Sequence, residues 1–182
     1  MPFYLSSAPV HFSHRRRQPL FLRPSMAQVN KSVLINHSAS RMFELVDDVS
    51  RYPEFLPWCG GVDVIKKDLH STIATLHIAY HGLKQQFTTE NSKTYPSAMN
   101  IQLKDGPFKH LDGSWRFIAL NENACKIEFV LNYEFANAFL EKIIAPVFSH
   151  IANTFVDGFV ARADVVYKTN KRNVHEQQRD TG

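Results

Sequence analysis

The stretch CKIEFVLNYEF, residues 125–135, constrains the fold of this chain more than any other segment. Its apolar residues stand at every second position: Cys125, Ile127, Phe129, Leu131, Tyr133 and Phe135. A period of two puts these six side chains on one face of a strand and most of the polar side chains on the other. The stretch therefore predicts an antiparallel strand with one face in a core and the other in water.

A second apolar pattern follows Pro146 and repeats every three to four residues. Its members are Val147, Phe148, Ile151, Phe155, Phe159, Ala163 and Val166. This spacing predicts an amphipathic helix over 147–167, and Ala138–Ile144 predicts a separate helical turn that Pro146 offsets from it. Gly158 lies inside the helix, where glycine costs about 1 kcal/mol relative to alanine. It either allows a close approach of the sheet or of a ligand, or is a tolerated surface glycine.

The rest of the chain divides into short elements. Residues 29–35 alternate and predict a first strand, after which Ser38 is suited to cap a helix that Tyr52-Pro53 ends. Pro53 can open a short second helix, and about six strands follow up to residue 135. Helices kept apart from an antiparallel sheet predict an α+β fold. We expect the sheet to be strongly curved and to hold the long C-terminal helix against its concave face, which leaves a cleft.

One segment, SRYPEFLPWCGGV at residues 50–62, combines two prolines with bulky apolar side chains. We interpret Tyr52, Phe55, Leu56 and Trp58 as an apolar lid at the end of this cleft. The glycine pair Gly60-Gly61 would let the chain turn sharply into the next strand.

The charge and the length of the chain limit the number of domains and the classes of partner that can be expected. The 182 residues suit one domain, predicted over 27–168 between a leader (1–26) and a disordered polar tail (169–182). The net charge of +4 comes from four arginines in the acid-free leader, and the remaining residues have 17 bases and 17 acids. The charge therefore does not argue for binding of RNA, and no DNA partner is expected. The leader is an organellar transit peptide, a disordered arm, or an upstream-start artefact before Met26.

Two further features concern location. Cys59 and Cys125 form no CxxC pair, and two thiols without a secretion signal favour a reducing compartment. No run of 18 apolar residues occurs, so we predict no transmembrane segment.

Candidate chemical groups are few. His77 and His81 would lie about 13 Å apart on one strand, too far to share a metal ion. Cys59 has no adjacent charged partner and is better explained as an inert buried thiol. No nucleophile, acid and base converge in the sequence, so we predict a protein that is not an enzyme and needs no metal or cofactor. Arg162 is either a contact for the polar head of a ligand or a surface arginine.

Three motifs carry a resemblance: MFELVDDVSRYPEFLPWC (42–59), DGPFKHLDGSWRF (105–117) and CKIEFVLNYEF (125–135). Together they resemble the START-like family that contains bacterial RatA and the mitochondrial coenzyme Q-binding proteins. The resemblance covers about residues 27–168 and implies a helix-grip fold without cofactor-dependent chemistry. It implies ubiquinone binding for the mitochondrial branch, and binding to the large ribosomal subunit with a block of subunit joining for the bacterial branch. Older names for such chains describe oligoketide cyclases.

The first hypothesis is a carrier of ubiquinone or another isoprenoid lipid that supports respiration. Burial of an apolar tail contributes about 25 cal/mol per Å². We expect the cleft to be lined by Tyr52, Phe55, Leu56, Trp58, Leu76, Ile78, Tyr80, Phe87, Trp115, Phe117, Phe129, Leu131, Ile151, Phe155 and Phe159, with Arg162 at the head group.

The second hypothesis is a ribosome-association toxin of the bacterial cytoplasm, while a mitochondrial location would follow if residues 1–25 were a transit peptide. Its candidate phosphate contacts are Lys66, Lys67, Lys104, Lys109, Lys168, Lys171 and Arg172. The balanced charge of the domain weakens this hypothesis, because phosphate contacts supply most nonspecific affinity. A third hypothesis, a cyclase that uses the same cleft, requires a buried acid or base that the sequence does not offer.

Overall fold

The computed structural model describes the backbone of residues 26–177 and the side chains of residues 26–167. The predicted leader, except Met26, and residues 178–182 of the predicted tail lie outside this range.

Within residues 26–177, seven strands form one antiparallel sheet in the order β1-β7-β6-β5-β4-β3-β2. Their bounds are β1 Ala27–Ile35, β2 Cys59–Lys67, β3 Ser71–Tyr80, β4 Leu83–Thr94, β5 Ala98–Asp105, β6 Phe108–Asn121 and β7 Ala124–Phe135. Strands β2 to β6 each pair with the next strand along the chain, and β1 joins the sheet beside β7. The helices are α1 Ala39–Asp47, the 3-10 helix Val49–Glu54 and α2 Ala138–Gln177.

The alternation in β7 is confirmed residue by residue, because every second side chain from Cys125 to Phe135 is buried and those between them are half-buried. β7 lies between β1 and β6, with Phe129 opposite Lys31 on one side and Trp115 on the other. The strand with the clearest sequence signal therefore has a neighbour on both sides.

Helix α1 begins as the sequence predicts. The backbone amide of Arg41 donates a 3.3 Å hydrogen bond to Oγ of Ser38, which satisfies one of the free amides of the first turn. The second short helix differs from the prediction, because it is the 3-10 helix Val49–Glu54 and contains Pro53 rather than beginning at it. The fixed φ of proline fits 3-10 geometry, which allows Pro53 inside the helix. Because the helix ends at Glu54, Phe55 and Leu56 follow it instead of lying on it.

Helix α2 is one continuous helix, so the prediction of a separate turn over 138–144 is wrong. Pro146 lies inside α2 even though it cannot donate the usual backbone hydrogen bond. Ile144 and Phe148, on either side of it, are both buried, and packing of this apolar face holds the helix together across the proline. The domain boundary after residue 168 stays a prediction, and the backbone of α2 continues beyond it to Gln177.

Residues 138–167 of α2 have the length and hydropathy of a membrane-spanning helix. Phe148, Ile151, Phe159 and Ala163 of this segment are at most 4% exposed and belong to the core cluster. The place of α2 in the core therefore accounts for part of its apolar character, and Phe139, Ile143 and Val165 of the same helix are exposed. Together, α2 and the curved antiparallel sheet make the α+β, helix-grip architecture that the sequence predicts.

Candidate functional site

An apolar cavity of about 60 Å³ lies in the core between the sheet and α2. Its walls come from the 3-10 helix and the residues after it, from β3 to β7, and from the middle of α2. The lining residues are Val49, Tyr52, Trp58, Ala74, Leu76, Phe87, Thr89, Asn91, Ile101, Leu111, Trp115, Phe129, Leu131, Phe148, Ile151, Ala152 and Phe155.

The structure brings nine of the fifteen expected cleft residues to this cavity. These are Tyr52, Trp58, Leu76, Phe87, Trp115, Phe129, Leu131, Ile151 and Phe155. The other six contact the core elsewhere or lie at its edge: Phe55, Leu56, Ile78, Tyr80, Phe117 and Phe159. Tyr80, for example, stacks on His150 with ring centroids 5.8 Å apart.

The cavity is smaller than the cleft that the sequence suggested, because aromatic rings fill the space under α2. The ring of Trp115 lies 4.5 Å from that of Phe129, 5.6 Å from that of Phe155 and 5.4 Å from that of Phe159. A volume near 150 Å³ is known to accept benzene in an engineered cavity. The present cavity can hold a few water-sized groups, and a larger guest requires the rings to move apart.

The lid packs directly on α2. The hydroxyl of Tyr52 donates a 2.7 Å hydrogen bond to the carbonyl of Val46, and its ring lies 5.2 Å from that of Phe159. Burial, reinforced by the nearby carboxylate of Asp47, raises the pKa of Tyr52 well above its ordinary value. Tyr52 therefore stays neutral and serves as a fixed wall of the cavity.

The glycine pair in the lid segment has a different role from the predicted sharp turn. Gly60 and Gly61 lie within β2, where the pairing with β3 shifts register between Cys59 and Gly61. A Cβ on Gly60 would lie 2.8 Å from Cβ of Ala79, so the glycine permits close contact between the two strands at this bulge.

Sequence reasoning missed the polar part of the cavity wall. Thr89 and Asn91 follow Phe87 at alternate positions of β4, so all three point to the inner face of the sheet. The period of two that starts at Phe87 was the available signal, but polar side chains at its later positions obscured it. Oδ1 of Asn91 is buried and accepts no hydrogen bond from the part of the chain that the structure describes.

A buried ion pair lies beside Asn91. The side chain of Lys93 is only 4% exposed, and its Nζ lies 3.1 Å from Oδ1 of Asp47. Thr72 is buried as well, and its hydroxyl donates to Asp47 over 3.0 Å. Neighbouring acidic residues on a helix are usually solvated, but Asp47 links α1 to β3 and β4 through Thr72 and Lys93.

Arg162, the expected head-group contact, lies away from the cavity. Its guanidinium pairs with Glu54 and lies 5.4 Å from the ring centroid of Phe55. Arg162 thus fastens the 3-10 helix to the outer face of α2. Hydrogen bonds from Arg51, and then from Arg162, hold the pKa of Glu54 below its ordinary value.

The candidate chemical groups do not form a reactive centre. Among the described side chains of residues 26–167, no group of three or more histidine, cysteine or acidic residues could hold a metal ion. His77 contacts Asp63 at 2.7 Å on the outer face of the sheet. Cys59 and Cys125 are both free and buried, and burial raises the pKa of each thiol. A raised pKa keeps a thiol protonated and weakly nucleophilic.

The lysines proposed as phosphate contacts are engaged in ion pairs on the surface. The pairs are Lys66–Asp68 at 2.9 Å, Lys67–Asp47 at 3.5 Å, Lys104–Glu90 at 2.7 Å and Lys109–Glu134 at 2.8 Å. These lysine side chains are 41% to 64% exposed. Lys168, Lys171 and Arg172 lie beyond the described side chains.

Comparison with known proteins gives close and distant relatives. The chain is 40% identical over 142 residues to the ribosome association toxin RatA of Vibrio cholerae, covering 78% of this chain and 99% of that protein. It is 24% identical over 144 residues to the mitochondrial coenzyme Q-binding protein COQ10 homolog B of Xenopus laevis, covering 77% of this chain and 59% of that protein.

The fold has solved counterparts. A START superfamily protein from Mycobacterium smegmatis superimposes with a TM-score of 0.57 and 19% identity, over 74% of this chain and 97% of that one. Residues 35–160 match the family described as polyketide cyclase/dehydrase and lipid transport. The chain therefore belongs to this START-like family, which includes RatA and the mitochondrial coenzyme Q-binding proteins.

Proposed function

We propose that this protein associates with the ribosome, binding the large subunit and interfering with subunit joining. The observation that carries the proposal is the similarity to RatA of Vibrio cholerae, which extends over nearly the whole of that protein. The coenzyme Q-binding relative is more distant and matches over a smaller share of its length. We place this action in the bacterial cytoplasm.

The small size of the internal cavity favours a function that the protein carries out through its surface. A ubiquinone with an isoprenoid tail is much larger than a cavity of about 60 Å³, whereas small-molecule sites commonly enclose roughly 300–1,000 Å³. The aromatic rings under α2 pack closely, and interface backbones of folded proteins often move little when they dock on a partner.

The surface charges are compatible with this role. Lys66, Lys67, Lys104 and Lys109 are paired with carboxylates, but exposed ion pairs contribute only about 0–1 kcal/mol. Such lysines can exchange a carboxylate for an RNA phosphate at little cost. Binding through them would weaken as salt rises, because phosphate contacts release counterions.

We also propose that the protein is not an enzyme. The cavity wall has no ionised carboxylate or imidazole, and its tyrosine is bonded to a backbone carbonyl. A cyclase would need an acid or base within reach of its substrate.

Sucrose-gradient sedimentation of cells that overproduce the protein tests the proposal. We expect free subunits to accumulate at the expense of joined ribosomes, with the protein in the large-subunit fractions. A Lys66→Glu/Lys67→Glu variant and a Lys104→Glu/Lys109→Glu variant locate the contact face, and Lys84→Glu/Lys142→Glu, at two exposed lysines on β4 and α2, is the matched charge control. An unchanged ratio of subunits to joined ribosomes would reject the proposal.

A second candidate function is the binding of an apolar ligand in the cavity under α2. The specific observation in its favour is the cavity wall itself, which is almost entirely apolar and lies at the centre of the core. A quinone head is a possible guest only if the lid and the rings of α2 separate. Mass spectrometry of organic extracts of the native protein tests this function, and an extract without any ligand, together with failure to take up ubiquinone, would count against it.

A further inference from the structure

The polar side chains around Asn91 form hydrogen bonds with one another. Asn91 lies opposite Thr72 on β3 and opposite Ile101 on β5. The hydroxyl of Thr72 donates to Asp47, so its proton is not available to Asn91. Ile101 has no polar group on its side chain. Neither cross-strand neighbour of Asn91 can therefore donate to Oδ1.

Lys93, at the next inward position of β4, contacts Asp47 and Thr72. Its Nζ lies 3.2 Å from Oδ2 of Asp47, 3.1 Å from Oδ1 of Asp47 and 3.1 Å from Oγ1 of Thr72. The contacts with Oδ2 of Asp47 and with Thr72 are hydrogen bonds and the contact with Oδ1 of Asp47 is part of the ion pair, so Nζ is held at Asp47 and Thr72 and makes no hydrogen bond to Asn91. The ion pair beside Asn91 thus leaves Oδ1 without a donor from that side.

The remaining direction from Asn91 is into the cavity, which Asn91 lines together with Thr89. A buried carbonyl oxygen without a donor is unfavourable, and native proteins nearly always satisfy such an atom with a partner. The other walls near it are aromatic or aliphatic, so a guest that satisfies Oδ1 must also present apolar surface to the rest of the cavity.

We propose that the cavity, when the aromatic rings under α2 move apart, binds a compact apolar molecule with a hydroxyl group, such as a phenol or a short alcohol, and that this hydroxyl donates its hydrogen bond to Oδ1 of Asn91. Asn91 is then the residue that selects a hydroxyl over an ether, a ketone or a plain hydrocarbon. This inference rests on the second candidate function, ligand binding in the cavity, and gives that function a ligand class.

The test compares phenol, fluorobenzene and benzene, which share one ring and differ in the donor. Trp58 and Trp115 are the two tryptophans of the sequence and both line the cavity, so their fluorescence reports occupancy, with calorimetry as the second readout. We expect phenol to bind about tenfold more tightly than fluorobenzene, the scale of one buried hydrogen bond. In Asn91→Leu this preference should disappear, while benzene binding is kept or strengthened.

Asn100→Leu is the matched control, because Asn100 is an exposed asparagine on β5, and it should keep the preference. Equal affinities of wild-type protein for phenol and fluorobenzene overturn the inference even if Asn91→Leu fails to fold. A preference that survives in a folded Asn91→Leu protein overturns it as well. If benzene binds without any preference for phenol, the inference fails and ligand binding stands; if no probe binds, both fail.

Discussion

Leu56 of the lid and Gly158 of α2 fit against each other so closely that a Cβ on Gly158 would lie 2.6 Å from Cδ2 of Leu56. Leu56 is 2% exposed, so this contact joins the segment after the 3-10 helix to the middle of α2. It also decides between the two roles that the sequence left open for Gly158. The glycine serves the close approach of the lid, and not of the sheet or a ligand.

The Leu56–Gly158 contact predicts a strong coupling between two substitutions. Gly158→Ala alone gains about 1 kcal/mol of helix propensity but forces Leu56 to move, so we expect little or no net stabilisation. In a Leu56→Ala background the same substitution should stabilise the protein by about 1 kcal/mol, because the clash is gone. Urea unfolding of the four proteins measures the coupling, and additive effects would contradict this account.

Phe159 contacts the lid and the cavity wall at once, and its removal should be costly. It is fully buried, with ring centroids 5.2 Å from Tyr52 and 5.4 Å from Trp115. We expect Phe159→Ala to lower the free energy of unfolding by about 3–5 kcal/mol. The matched control is Phe139→Ala on the same helix, where the ring is 72% exposed and the expected change is within about 0.5 kcal/mol. Similar losses in both variants would show that the core is not arranged as described.

The Asp47–Lys93 pair predicts a double-mutant result. Asp47→Ala leaves the ammonium of Lys93 buried without its partner, and we expect a loss of about 3 kcal/mol in unfolding free energy. Adding Lys93→Met should restore much of this loss, because no buried charge then remains. Lys67→Met is the control, since this lysine is 41% exposed and its pair with Asp47 should contribute under about 1 kcal/mol. No recovery in the double variant would contradict the proposed network.

The buried thiol of Cys59 predicts a decline of stability in alkaline solution. Burial raises its pKa above the ordinary value of 9.0, so the unfolded chain loses the proton first as pH rises. The stabilisation is complete below about pH 9 and is lost as pH rises through the raised pKa of the folded state. We expect Cys59→Ala to flatten this part of the urea-unfolding profile against pH. The native thiol should also resist iodoacetamide until the protein unfolds, and rapid alkylation of native protein would argue against burial.

The elements with regular periods were predictable from sequence. β7 and the apolar stripe of α2 repeat at two and at three to four residues, and packing reinforces both periods. Pro146 was misleading because local propensity argues for a break, whereas the buried Ile144 and Phe148 keep the helix continuous.

The polar part of the candidate site was not predictable in the same way. Asn91 and Asp47 are 44 positions apart in sequence, and only the pairing of β3 with β4 brings Thr72, Lys93 and Asn91 into one cluster. Arg162 could not be placed either, because its pairing with Glu54 depends on where the 3-10 helix meets α2.

Binding of the purified protein to purified ribosomal subunits tests the central claim most directly. We predict saturable binding to large subunits, little binding to small subunits, and a fall in affinity with rising salt, as expected for lysine–phosphate contacts. The Lys84→Glu/Lys142→Glu control should bind like the wild-type protein. Equal binding to both subunits, or none at physiological salt, would contradict the proposed association with the large subunit.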